Sequence, residues 1–538
     1  MLRYYVKHAL RVIYRDKFHS VLNVIGLSIG IACGIIVLLY VQNELTYERH
    51  HIKKERIYRY GVNMTIGGVN SSQTTCNAAV GPLLKDYMPG IESFVRIGKP
   101  GEIMIKHNRD AYYEEDIFWA DSSLFHVFTH QFISGDPATC LKNINSIVLT
   151  EELAGKIFGD ADPMDKTVEI ENQGLFTVTG VIKDLPDNSY LMFDGLMSFS
   201  TLYHDQDIAD VYNPRRLGGN MFFELYFLFK EDFRREDFYS QFQAFYDENL
   251  AEYDRIQYKA IAEPVKDIHL RSEITTRESD VFRRLLYGLS SIGIFILVLA
   301  CINYINLATS RAEGRAKEIG LKKVTGAGKK QLITQFLGES MVLSVISLLL
   351  GLGIAEVIFV FTPLNEVFDK DLQIDFFHNP VLAVGSIGLT IIVGILSGLY
   401  PSFYLSRILP VKALRGDAKE ASHKFGFRNI LVIFQFAISI GAVALTLLMN
   451  QQLKYVRSKD LGFDREEVLL ISVRDEKIRG KMSAYREVIN THHGVVRSSF
   501  SSTTPGYGIS GWAFLWESNT GEMERHANRE LYADRDYF

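Results

Sequence analysis

Five stretches of this chain, residues 21–41, 285–308, 337–361, 381–403 and 427–449, are apolar over about 20 residues or more, the length a helix needs to cross a bilayer's hydrocarbon core. No other feature restricts the fold as much. Lipid offers backbone amides no partners, so each stretch must be a helix that satisfies its own peptide groups. Composition hides this, because 47% hydrophobic and 22% charged residues would suit a soluble protein; only the clustering of the apolar residues reveals the spans. Arg3, Lys7, Arg11, Arg15 and Lys17 precede the first stretch as they would in a signal peptide. The run is too long for one, and residues 40–44 (Tyr-Val-Gln-Asn-Glu) offer no small-residue cleavage site, so it reads as a retained anchor.

Basic residues in short loops set the orientation. Arg311, Arg315, Lys317, Lys322, Lys323, Lys329 and Lys330 stand between spans two and three, and Arg407, Lys412, Arg415, Lys419, Lys424 and Arg428 between spans four and five. The loop between spans three and four has Lys370 against Glu366, Asp369, Asp371 and Asp375. The two basic loops are therefore expected in the cytoplasm. Residues 1–20 then form a cytoplasmic N-terminal segment, 309–336 and 404–426 are cytoplasmic, and residues 45–280 form a large domain outside. The charges flanking the first span balance, so the later loops carry this assignment.

Within the outer stretch, residues 221–229 (MFFELYFLF) and 175–181 (LFTVTGV) have strand character, whereas 150–158 (TEELAGKIF) starts with a threonine cap and an acidic first turn. The fold class is thus an α-helical polytopic membrane protein with a large extracytoplasmic α+β domain. Residues 119–125 (WADSSLF) resemble 532–538 (YADRDYF), and the same offset lays span one on span five. This predicts a second copy of span plus outer domain, with residues 450–538 the start of the second domain and the chain ending partway through it. Cys33 and Cys301 fall in spans; Cys76 and Cys140 fall in the outer stretch, where an oxidising compartment would allow them to pair.

Several motifs have a plainer reading than their pattern suggests. Gly26-Leu-Ser-Ile-Gly30 matches a nucleophile elbow, but it lies inside a span, where Gly26, Gly30 and Gly34 recur every four residues as a surface for close helix packing. Gly351, Gly353, Gly394 and Gly398 read similarly. Gly328-Lys329 resembles the end of a phosphate loop, yet Lys323 and Lys330 occupy the positions that loop reserves for glycine and for serine or threonine. His50-His51 and His492-His493 read as solvated pairs, and no zinc-ligand spacing is present. Asn303 and Asn306 near the inner end of span two suit interhelical hydrogen bonds, and Glu356 can reach the outer interface. No catalytic residue, metal or cofactor is expected in this chain, and the net charge of −5 does not suggest nucleic acid as a partner.

The segment joining spans two and three is the most informative. A helix leaves the membrane, passes through charged residues, breaks at Gly326 to Gly328 and re-enters as an amphipathic helix. Its NYINL at 303–307, RAKEIG at 315–320, KVTGA at 323–327 and QFLGES at 335–340 resemble the signature of MacB/FtsX-like ABC transporter permeases. YPSFYLS at 400–406 with PVKALRG at 410–416, and the stretch 145–159, resemble the same family, in an order that covers nearly the whole chain.

This resemblance implies a permease subunit without ATPase activity of its own, in the bacterial inner membrane, with a periplasmic outer domain. A separate ATP-binding subunit would bind the ATP and contact residues 315–328, with Arg315, Lys317, Glu318, Gly320, Lys323 and Gly326 at the contact. The fifth span resembles duplicated members with eight spans, and a second permease or a periplasmic or outer-membrane protein would be a further partner. The implied output is export or extrusion of a peptide, antibiotic or lipoprotein. Mechanical regulation of an envelope enzyme and antibiotic sensing are the alternatives. No residue in 45–280 names a substrate.

Overall fold

The computed structural model describes residues 11, 17–66, 69–204, 222–249, 256–310, 312–377, 379–407, 427–460, 467–473, 476–504, 510–517 and 523–537. The chain divides into two compact units, Met1–Val62 with Gln73–Asn249 and Ala260–Leu445, and Asn63–Ser72 with Leu250–Lys259 and Thr446–Phe538.

Among the described residues, five helices are long and apolar enough to cross a membrane. They are α1 (Lys17–Leu45), α2 (Thr276–Ser310), α4 (Lys329–Phe361), α5 (Pro380–Ser406) and α6 (Phe427–Ser458), with the shorter α3 (Ala312–Val324) between α2 and α4. In the first unit α1 packs against α2 and α4, and α4 against α5. Small residues set the spacing: a Cβ on Gly30 would stand 2.7 Å from Ala300 Cβ, and one on Gly26 3.3 Å from Asn303 Nδ2. A Cβ on Gly34 would meet Leu389 at 2.9 Å and Leu297 at 3.1 Å, so this row of glycines lies against α2 and, at its end, α5. Leu27, Ile31 and Ile35 of α1 join Tyr304, Leu343, Leu382 and Val393 in the apolar centre of the bundle. Asn306 donates through Nδ2 to Gln435 Oε1 at 3.3 Å, a polar contact between α2 and α6, and Glu356 is exposed. Apart from that, α6 presents Ile433, Phe436, Ile440 and Val443 outward.

The outer domain of the first unit is built on a mixed sheet. The strands on its main path are β1 (Ile57–Ile66), β2 (Ile91–Gly98), β3 (Ile103–His107), β4 (Asp110–Glu114), β5 (Ile117–Ala120), β6 (Ser146–Thr150), β7 (Thr167–Ile170), β8 (Gly174–Ile182), β9 (Gly195–Ser198), β10 (Phe223–Phe229) and β11 (Ile256–Pro264), with three short strands pairing off it. They lie in the order β11-β1-β10-β2-β5-β9-β6-β8-β7-β3-β4. The pairs β9 with β5 and β8 with β6 are parallel. All seven residues of β10 are buried, which explains its largely apolar run; the one charged residue, Glu224, accepts from Tyr226 Oη at 2.8 Å. The helix Glu151–Phe158 starts where the sequence places it, with Thr150 Oγ1 accepting from Leu153 N at 3.3 Å and Glu151 and Glu152 in its first turn. Apolar cores in the domain include one around Phe118, Phe128, Leu196 and Tyr226 and another around Trp119, Phe158, Phe176 and Phe199. Cys76 and Cys140 are free, buried thiols, pushed up by burial to about 12 and about 11.

The short sequence echo has a structural counterpart. Ala120 pairs with Ile97 and Ala533 bridges to Ser501, both antiparallel. One residue on, Asp121 takes the backbone N–H of Arg96 on its carboxylate at 2.8 Å, and Asp534 takes that of Phe500 at 3.0 Å. Each aspartate also gives its own N–H to the same partner's carbonyl, at 3.3 and 3.0 Å. The second unit further contains the hairpin of Ser510–Glu517 with Met523–Glu530.

Candidate functional site

Residues 315–328, singled out in the sequence, fold as a short helix with a fixed end. Gly326 has φ +98°, a conformation that side chains strain to adopt, and it closes α3. Its N–H bonds Lys323 O at 3.1 Å while Ala327 N–H bonds Lys322 O at 2.9 Å, the paired bonds of a Schellman end. Gly328 then begins α4, its N–H donating to Gln331 Oε1 at 3.0 Å. The Gly-Ala-Gly stretch is therefore a rigid corner rather than a flexible link.

The inner face of α3 is clamped to the spans. Ile319 is buried with Leu332 and Phe336 of α4 and Leu405 of α5. Lys323 Nζ donates to Ser406 O at 2.7 Å, satisfying a carbonyl at the C-terminus of α5, where the helix dipole favours a cation. Burial, and then Lys329, lower the pKa of Lys323. Lys322 pairs with Glu318 at 2.9 Å one turn away and reaches Gln335 at 3.5 Å. Gly320 is buried, Lys317 is exposed, and Arg315 lies in α3 with its side chain outside the described residues.

Of the six expected contact residues, then, the structure turns Gly320 and Lys323 inward and uses Gly326 to end the helix. The outward face of α3 carries Lys317, Leu321 and Val324, at the i, i+4, i+7 spacing of one helical stripe. Leu321 is 60% and Val324 64% exposed. Neither belongs to a charged or glycine-bearing motif that would mark it in the sequence. The signal was present in their phase, since Ile319 and Lys323 lie on the other side of the same helix. Two exposed apolar side chains thus stand beside a lysine on a helix whose other face is held to two spans.

At the opposite end of α1 a second cluster joins that helix to the outer domain and the loop between α4 and α5. Glu44 accepts from His269 Nε2 at 2.6 Å and stands 3.5 Å from Lys370 Nζ. Tyr47 stacks flat on His269, 3.6 Å between ring centroids, and its hydroxyl bonds Lys370. Burial, followed by the Glu44 carboxylate, pushes the Tyr47 hydroxyl well above its ordinary range. The three ionisable side chains are nearly sealed, 1% exposed for Glu44, 7% for His269 and 8% for Lys370, so removing one leaves the others buried and unbalanced. No sequence motif announced this node, because its members come from separate parts of the chain. The His50-His51 pair, expected in solvent, is drawn under the outer domain, and His51 is 1% exposed; His492 and His493 are exposed.

Residues 20–243 match the MacB-like periplasmic core domain, and residues 290–410 match the FtsX-like permease C-terminal domain. An uncharacterized ABC transporter permease of Bacillus subtilis (strain 168), YvrN, is 22% identical over 435 residues, 76% of this chain and 99% of that protein. The macrolide export ATP-binding/permease protein MacB of Neisseria gonorrhoeae is 24% identical over 280 residues, 50% of this chain and 38% of its own length. The pyoverdine export ATP-binding/permease protein PvdT of Pseudomonas aeruginosa is 25% identical over 424 residues, 76% of this chain and 58% of its own length.

Proposed function

Because the chain carries these two domains in order and belongs to the MacB/FtsX-like family of ABC transporter permeases, we propose that it couples ATP hydrolysis by a separate ATP-binding subunit to movement of its outer domain. The observation that carries this reading is α3, a helix with an exposed apolar tip whose other face is pinned to α4 and α5. Force applied to Leu321 and Val324 passes through Ile319 and Lys323 into two spans without bending a flexible joint. At the other side of the membrane the Glu44–His269–Lys370 node gives α1, the segment entering α2 and the α4–α5 loop a common attachment. Motion among the spans thereby reaches the base of the outer domain. On this reading the protein sits in the inner membrane with its N-terminus in the cytoplasm and the outer domain in the periplasm. The output is export or extrusion of a substrate handled on the outer side, and the recurrent aspartate pattern of the second unit supports a duplicated permease.

The test is co-purification from detergent-solubilised bacterial membranes. Wild-type protein is expected to bring down an ATP-binding subunit, and a Glu318→Lys, Gly326→Pro double variant is expected to lose it while still inserting. Gly326→Pro cannot keep the positive φ that ends α3. Correctly inserted wild type without an ATPase would refute the coupling reading.

A further inference from the structure

The link that follows α1 gathers Glu48, His50 and His51, whose carboxylate oxygen and ring nitrogens lie within 4.8 Å of one another. Glu48 and His51 are each 1% exposed at the side chain, and His50 is half-buried. Their polar atoms lack the partners that burial demands. Glu48 Oε2, both ring nitrogens of His50, His51 Nε2 and the nearby His130 Nε2 are buried without a hydrogen bond, five of the twelve such side-chain atoms among the described residues. Of these, Glu48 Oε2 and His51 Nε2 face each other at 2.7 Å as a close polar pair, so the ring nitrogens of His50 and His130 Nε2 are the ones with no polar partner.

The rest of the cluster is held firmly. Glu48 Oε1 accepts from Ser189 Oγ at 3.0 Å and from the Tyr190 amide, and His51 Nδ1 accepts from Thr129 N at 3.1 Å. His130 sits beside the rings of Phe125, Phe193 and His51. The backbone of Glu48 is left-handed, with φ 59°, a conformation glutamate rarely takes and one that concentrates at functional positions. Burial, and next the neighbouring His51, hold the His50 pKa down to about 4 and the His130 pKa to about 3.

We propose that Glu48, His50 and His51 form a site for one divalent transition-metal ion of the zinc class, bordered by His130. One carboxylate and two imidazoles are the donors such an ion prefers, with no thiolate needed. Bonds of about 2.0–2.2 Å to a tetrahedral ion place its ligands roughly 3.3 Å apart, so the 2.7 Å pair opens slightly and the wider separations close. Because the Thr129 amide occupies His51 Nδ1, the ring proton starts on Nε2. Ligation through Nε2 moves it to Nδ1 at the expense of the Thr129 contact. A bound ion would tie the segment leaving α1 to Ser189 and Tyr190, the outer-domain positions that hold Glu48.

The full chain, purified in detergent with a tag free of histidine and stripped with chelator, is titrated with Zn²⁺ and, as a spectroscopic probe, Co²⁺. The expected result is one ion per chain and the visible absorption of Co²⁺ in a nitrogen and oxygen environment. Glu48→Gln and His50→Ala should each weaken binding about tenfold or more, whereas a His492→Ala, His493→Ala double variant should bind as wild type. Glu48→Gln preserves shape, so an unchanged metal-free melting temperature separates lost ligation from lost folding. Absence of stoichiometric binding in the wild type overturns the proposal, as does equal affinity in wild type, Glu48→Gln and His50→Ala.

Discussion

Replacing Leu321 and Val324 together with aspartate is expected to strip the ATP-binding subunit from the permease while leaving α3 folded. Both side chains are largely exposed, at 60% and 64%, so their loss removes little from the permease's own packing. Burying an aliphatic side chain of this size contributes about 1.5–3 kcal/mol. A charge in its place adds the cost of desolvating an unpaired carboxylate. Together the two changes should weaken association by more than about 100-fold, since each 1.4 kcal/mol is a factor of about ten. Titration of labelled permease with the purified ATPase measures this directly. Lys317→Ala, at the edge of the same stripe, serves as the mild comparison, because exposed charges contribute at most about 1 kcal/mol. An unchanged affinity in the double variant would move the docking face elsewhere on the chain.

Glu263→Ala should be the most destabilising single change in the outer domain. Glu263 on β11 and Arg59 on β1 form an ion pair with side chains 1% and 0% exposed, with Arg59 Nη2 2.6 Å and Nε 3.1 Å from Glu263 Oε2. Glu263 Oε1 also accepts the Glu273 N–H at 2.6 Å, and Arg59 Nη2 reaches Ser272 Oγ at 3.2 Å. β1 is the strand by which the chain enters the outer domain from α1, and β11 the strand by which it leaves toward α2. They are neighbours in the sheet, so this pair clamps the two connections to the membrane together. Removing one partner leaves a guanidinium buried and uncompensated, which costs about 3–5 kcal/mol. For a domain of this size that lowers the melting temperature by roughly 10 °C. A drop of only a degree or two would mean that water reaches Arg59.

Much of this architecture was legible because it rests on local rules. A run of about 20 apolar residues has one structural solution in lipid, and Gly26, Gly30 and Gly34 sit where α1 meets its neighbours. The threonine at 150 caps the helix its phase announces, and the Gly-bearing break at 326 to 328 is a helix end followed by a helix start. What stayed hidden was assembled from distance. Glu44, His269 and Lys370 are brought together only by the bundle, and no spacing relates Glu48, His50 and His51 to His130. Within residues 315–328 the structure turns Gly320 and Lys323 toward the spans and leaves Leu321 and Val324 exposed. Charges drew attention to Glu318 and Lys323, which serve α3 and the end of α5, while no such motif marks the apolar pair Leu321 and Val324.

ATP hydrolysis outside this chain is expected to move its outer domain. Spin labels on cysteines introduced at the exposed positions Leu175, in the outer domain, and Phe361, at the outer end of α4, would report the separation of domain and bundle in the reconstituted complex. The account predicts one distance distribution without nucleotide and a shifted one when the ATPase is trapped closed on ATP, with the shift abolished by the Leu321→Asp, Val324→Asp change. An ATPase that binds and turns over while the distance stays fixed would contradict it.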